Sequence, residues 1–158
     1  MKVSIVMGSK SDYPVLEEGI DILKKFGVEV EVRILSAHRT PKELMKFLEE
    51  IENNTDVIIG AAGKAAHLPG VIASHTLIPV IGLPIKSSTL DGMDSLLSIV
   101  QMPKGIPVAT VTINSSLNAS IMAIQFMSIK YPDLKEKLKV YRKEMTEKVL
   151  NDDKEINN

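Results

Sequence analysis

Five short apolar runs, each followed by a loop and, in every case, a helix-like segment, constrain this chain more than any other feature. Val3 to Met7, Val28 to Leu35, Asp56 to Ile59, Ile78 to Leu83 and Gly105 to Ile113 read as strands. Between them, Pro14 to about Phe26 with Gly27 as C-cap, Pro41 to about Ile51, a segment ending near His75, and Asp91 to Val100 read as helices. Strands that are apolar and β-branched belong in a parallel sheet covered on both faces. The alternation predicts a single-domain, three-layer α/β/α sandwich with a parallel, flavodoxin-like (Rossmann-like) sheet. Right-handed crossovers then bring every strand-to-helix loop to one rim.

Two further helices follow the last strand. Asn118 to Ile129 is apolar almost all round, the signature of a buried helix. After the break at Tyr131-Pro132-Asp133, a charged extra helix runs from Leu134 to about Leu150, with an apolar stripe at Leu134, Leu138, Tyr141, Met145 and Val149. With the preceding helix already turned inward, that stripe calls for a neighbouring subunit. Residues 1–150 make one α/β domain on this reading, and 151–158 a polar, frayed tail.

Composition narrows the function. At 158 residues the chain is long enough for one well-buried core. With no cysteine, thiolate catalysis, disulfides and Cys-ligated metal are out. A net charge of −1 with scattered basic residues is not the footprint of a nucleic-acid binder. Three tyrosines, three phenylalanines and no tryptophan make a poor stacking platform for bases or a flavin. Met1-Lys2 leads straight into a strand, and no apolar run is long enough to span a bilayer, so a cytoplasmic protein without membrane attachment is expected.

The rim loops carry the chemistry. Gly8-Ser9-Lys10-Ser11-Asp12 resembles a phosphate cradle, although Ser11 or Asp12 would equally serve as a helix cap. In Leu35-Ser36-Ala37-His38-Arg39-Thr40-Pro41, an imidazole and a guanidinium sit at a strand-to-helix junction, with Thr40 and Glu43 spaced as a capping box. The Gly60–Gly70 loop lacks bulky side chains, so its amides can approach a small anion; tight helix-sheet packing is the other use of such residues. His67 fits either a structural or a site role, and His75 reads as an exposed bystander. The loop Pro84–Thr89 completes the rim. His38 and His67 lack metal-ligand spacing, and no Gly-x-Ser-x-Gly elbow exists, so no metal or Ser-hydrolase site is expected. Acid–base chemistry by one histidine on a phosphorylated small molecule remains. Candidate substrate-binding residues are Gly8, Ser9, Asp12, Ser36, Arg39, Gly63, Lys64, Ala65, His67 and Leu68.

Four ordered motifs resemble one family: Met7 to Asp12, Ser36 to Pro41, Ala65-Ala66-His67-Leu68-Pro69-Gly70, and Asp94 to Pro103. The chain is similar, from Val3 to about Leu150, to the catalytic subunit of bacterial phosphoribosylaminoimidazole carboxylase, the N5-carboxyaminoimidazole ribonucleotide mutase or PurE family. The resemblance implies a cofactor-free enzyme of de novo purine synthesis that moves a carboxyl group from the exocyclic nitrogen to C4 of a phosphoribosyl aminoimidazole. It also implies that Ser9, Asp12 and Arg39 hold the ribose phosphate, that His38 is the acid–base residue, and that the subunits form a homo-octamer. Two positions depart from the family pattern. Lys64 replaces the second glycine of the usual Gly-Gly-Ala-Ala-His-Leu-Pro-Gly, pointing outward or binding carboxylate, and the loop Asn114-Ser115-Ser116-Leu117 is shorter than usual.

Two alternatives stand beside the mutase. A related branch carboxylates aminoimidazole ribonucleotide directly with carbon dioxide but tends to carry Ala-His-Lys-Thr in the histidine loop, where this chain has Arg39, and to lack the Ala-His-Leu-Pro-Gly kept here. A flavodoxin-like binding module shares the alternation, yet Gly60-Ala61 stands where a receiver domain needs an acid, and only Tyr13 begins a flavin-flanking aromatic pair.

Overall fold

The strands β1 (Lys2–Met7), β2 (Glu29–Ile34), β3 (Val57–Gly63), β4 (Val80–Ile85) and β5 (Ala109–Thr110) form one all-parallel sheet in the order β2-β1-β3-β4-β5. This computed structural model describes residues 1–88 and 90–157. Thr89, the end of the expected Pro84–Thr89 loop, and Asn158, the end of the expected tail, lie outside the described residues. Order 2-1-3-4-5 is the flavodoxin-like winding, with its switch point between β1 and β3.

Strand side chains alternate between two cores. Val3, Ile5, Met7, Val57, Ile59, Ile81 and Leu83 face α1 (Tyr13–Lys25), α5 (Ser116–Met127) and α6 (Pro132–Asn157). Val6, Ile58 and Val80 face α2 (Pro41–Ile51), α3 (Leu68–Ala73) and α4 (Met93–Val100). The three central strands are buried on both faces, which is why their sequence shows apolar runs and not alternation. Gly60 and Gly82 pair across β3 and β4. A Cβ on Gly60 would lie 3.1 Å from the Pro69 Cα, and one on Gly82 would collide with the Ile99 methyl. These glycines let α3 and α4 sit directly on the sheet.

Several expected boundaries shift. β3 continues to Gly63, so the first residues of the expected glycine-alanine loop are strand, and the loop proper starts at Lys64. β4 likewise runs to Ile85 and takes up Pro84. The fifth strand shrinks to two residues, because Pro107 has no amide to donate and Gly105 turns the chain at φ +93°. At the sheet edge, Ile34 is half-exposed, whereas Val28 is buried and Val30 and Val32 pack against the core. Thr40 does not form the capping box: its hydroxyl accepts from the Ser36 amide (2.8 Å) and donates to the Ser36 carbonyl (3.2 Å), cinching the loop that holds His38.

α5 is fully buried only along Ser116, Ala119, Ser120, Ala123, Ile124 and Met127, so within one chain the expectation of an all-round buried helix holds for one face. The last helix corrects the expected tail, running 26 residues to Asn157 in place of ending near Leu150. No glycine or proline interrupts residues 150–157, so no helix breaker stands there.

Candidate active site

Four loops surround one cavity of about 670 Å³ at the carboxyl edge of the sheet, next to the switch point. Its wall takes Gly8, Ser9 and Asp12 from the loop after β1, Ser36, His38 and Arg39 from the loop after β2, Gly63, Lys64, Ala65, His67 and Leu68 from the end of β3 into α3, and Lys86, Ser87 and Ser88 from the loop after β4. Every candidate site residue named from the sequence therefore lines the same space. That volume suits a ligand of nucleotide size.

Short-range bonding shapes the anion end. Ser9 caps the 3-10 turn Lys10–Asp12, its Oγ accepting from the Ser11 amide at 3.3 Å. Asp12 occupies the N-cap position of α1 but makes no capping hydrogen bond. Its carboxylate instead accepts from the Ser11 hydroxyl at 3.2 Å. Asp12 thus lines the cavity and its side chain does not cap α1. Burial pushes its carboxyl above the usual range, against the downward pull of the Ser11 hydroxyl, the Ser9 backbone and the Arg39 charge. Arg39 ties two loops together: its Nη2 donates to the Gly8 carbonyl and its Nε to Ser36 Oγ at 3.4 Å. The fork is thereby held over the loop after β1, where a planar guanidinium suits a phosphate. No side chain crowds Gly8, around which a Cβ would find open space.

The acid–base end is a pair of imidazoles. His67 Nδ1 lies 3.4 Å from His38 Nε2, and the rings meet edge to face at 88° with centroids 5.5 Å apart. They come from loops 29 residues apart in sequence, so only the sheet order brings them together. His75 stays outside, exposed and bonded to Ser74 and the Val71 carbonyl.

Sequence reasoning placed the loop after β4 on the rim without naming its residues. Lys86 pairs with Asp91 at 2.6 Å, and Ser87 Oγ donates to Asp94 at 3.3 Å. The signal was the polar Lys86-Ser87-Ser88 step that ends an apolar strand. The short Asn114 loop also has a function here: Asn114, at φ +57°, accepts from the Lys86 amide through Oδ1 at 2.8 Å and so braces that wall. Among the described residues no group of three His, Asp or Glu side chains is arranged to hold a metal ion, and no helix is long and apolar enough to cross a membrane.

A flavodoxin-wound sheet with a histidine pair and an arginine converging on one cavity at its switch point can do acid–base chemistry on an anionic small molecule. The model of the AIR carboxylase family matches residues 2–148, and the chain belongs to that family. It is 56% identical over 148 residues to the N5-carboxyaminoimidazole ribonucleotide mutase of Pyrococcus horikoshii, covering 93% of this chain and 84% of that one. To the mutase of Methanocaldococcus jannaschii it is 50% identical over 156 residues, covering 98% and 96%. The crystal structure of Treponema denticola PurE superposes with a TM-score of 0.91 at 30% identity, over 99% of both chains.

Proposed function

We propose that this protein is an N5-carboxyaminoimidazole ribonucleotide mutase of de novo purine synthesis, using His38 as the one acid–base residue. The observation that carries the reading is the placement of His38, beside His67, in one cavity with the Arg39–Gly8 clasp and the Ser9–Asp12 turn. Family membership and half-identical relatives named as mutases support it. Ser9, Asp12 and Arg39, with the backbone at Gly8 and Ser36, hold the ribose phosphate. Gly63, Lys64, Ala65, His67 and Leu68 enclose the imidazole ring and its carboxyl group.

The chemistry is a decarboxylation followed by a recarboxylation. As the bond from the exocyclic nitrogen to the carboxyl carbon breaks, carbon dioxide leaves, the electron pair stays on nitrogen, and protonated His38 supplies a proton to it. The ring carbon C4, made electron-rich by the free amine, then attacks the retained carbon dioxide. Neutral His38 removes the C4 proton and returns to its starting state, so no net proton is consumed. His67 positions the His38 ring through the 3.4 Å contact. Walls of small residues at Gly63, Ala65 and Ala66 keep the gas from water.

Purified protein given the N-carboxylated nucleotide without bicarbonate should produce the C4-carboxylated nucleotide, followed by its ultraviolet absorption. Product only from the uncarboxylated nucleotide plus bicarbonate would instead mark a direct carboxylase. His38→Asn should bind substrate normally and lose at least a hundredfold in kcat; near-normal turnover would remove His38 from the mechanism. The subunits act in the cytoplasm as a homo-octamer. The uncovered Val140, Met145 and Val149 on α6 and the half-buried outer face of α5 support the assembly, and light scattering should give eight times the 17.3 kDa chain.

A further inference from the structure

Lys64 holds a left-handed backbone, φ +59°, on the cavity wall. Glycine adopts that conformation freely, whereas a residue with a Cβ is strained in it. Strain kept inside a binding site points to a function for the side chain that imposes it. Among the described residues the Lys64 ammonium has no hydrogen-bond or ion-pair partner, while Lys86, the other lysine of the wall, is tied to Asp91 at 2.6 Å. Lys64 is therefore the uncommitted ammonium of this cavity.

Its position decides which part of a ligand it meets. The groups suited to phosphate stand on the loops after β1 and β2, where Arg39 reaches the Gly8 carbonyl. Lys64 follows Gly63, whose strand partner is Ile85 of β4, on the opposite side of the switch point. Three residues later comes His67, in contact with His38. Lys64 thus stands on the side of the cavity that carries the two histidines, away from the Arg39–Gly8 clasp. In the reaction the carboxyl group is anionic as N-carboxylate and as C-carboxylate, and neutral only as carbon dioxide. A cation at that end stabilises both end states over the uncarboxylated nucleotide.

We propose that Lys64 is a specificity-determining residue that pairs with the migrating carboxylate and selects carboxylated over uncarboxylated nucleotide. This rests on the mutase reading above. The test uses the full chain in a His38→Asn background, where bound ligands do not turn over, and calorimetric titration with 4-carboxy-5-aminoimidazole ribonucleotide and with 5-aminoimidazole ribonucleotide. Lys64→Gly suits the φ of +59° and so keeps the fold, with thermal stability unchanged or raised. It should weaken the carboxylated ligand about tenfold and the uncarboxylated one less than twofold, with Lys64→Arg restoring the difference. Equal weakening of both ligands would make Lys64 a phosphate contact, and no weakening of either would make it a solvated charge; both overturn the proposal. Failure of both nucleotides to bind the protein that retains Lys64 would instead overturn the mutase reading, and the proposal with it.

Discussion

Asp12 shows how a single residue carries opposing demands. Half-buried at the head of α1 without capping it, the side chain is held above the ordinary carboxylate range mainly by desolvation. Because the folded pKa lies above the unfolded one, the native state favours the proton, and ionising Asp12 lowers stability as pH rises through the carboxylate range. That penalty persists at neutral pH. Asp12→Asn should therefore raise the melting temperature at pH 7, with the gain vanishing below about pH 4, where both states are protonated. The same change should raise KM for the nucleotide several-fold, since the amide supplies one acceptor in place of two. A variant no more stable than the parent at pH 7 would refute the burial argument. Lys64 poses the same conflict in backbone form, its strained φ persisting on the wall of the cavity.

At the scale of elements, the site depends on how closely α3 and α4 approach the sheet. Gly60 and Gly82 stand side by side on β3 and β4, beneath Pro69 and Ile99. Gly82→Ala forces the methyl into Ile99, which is fully buried, so the helix must lift. Overpacking of this kind costs about 2 kcal/mol, to be read from urea unfolding. Lifting α4 also shifts Ser95, whose hydroxyl donates to the Ile85 carbonyl at 2.8 Å beside the cavity. Activity should fall with stability; a variant as stable as the parent would show that the contact relaxes without cost.

Across the whole molecule, Asp56 links the first strand to the α5–α6 turn. One carboxylate oxygen accepts from the Lys2 amide at 3.0 Å, and the other from Lys130 Nζ at 3.0 Å and Tyr131 Oη at 2.9 Å. The start of β1, the approach to β3 and the α5–α6 turn thus meet at one side chain. Burial pushes the Asp56 carboxyl up, but these donors and the Lys130 charge outweigh it and hold the group below its usual range. With the folded pKa below the unfolded one, its stabilisation is complete above about pH 4 and is lost as pH falls through the folded value. Asp56→Asn should destabilise the protein at pH 7, and the difference from the parent should close on acidification below pH 4. A difference independent of pH would mean that geometry, and not charge, holds these segments together. The outward apolar residues Val140, Met145 and Val149 of α6, a helix about 39 Å long, are exposed in the single chain.

The sequence by itself determined the layer architecture, the parallel sheet and the loops that carry chemistry, because apolar periodicity and helix-start residues are local signals. His38, Arg39, Ser9, Asp12 and His67 were legible in this way, each in a motif beside a strand end. Only the tertiary structure decided that His67 faces His38, that Arg39 clasps Gly8, that Lys64 is left-handed, and that the fifth strand is two residues long. Distances between loops follow from strand order and register, which depend on contacts across tens of residues. No window of sequence contains them.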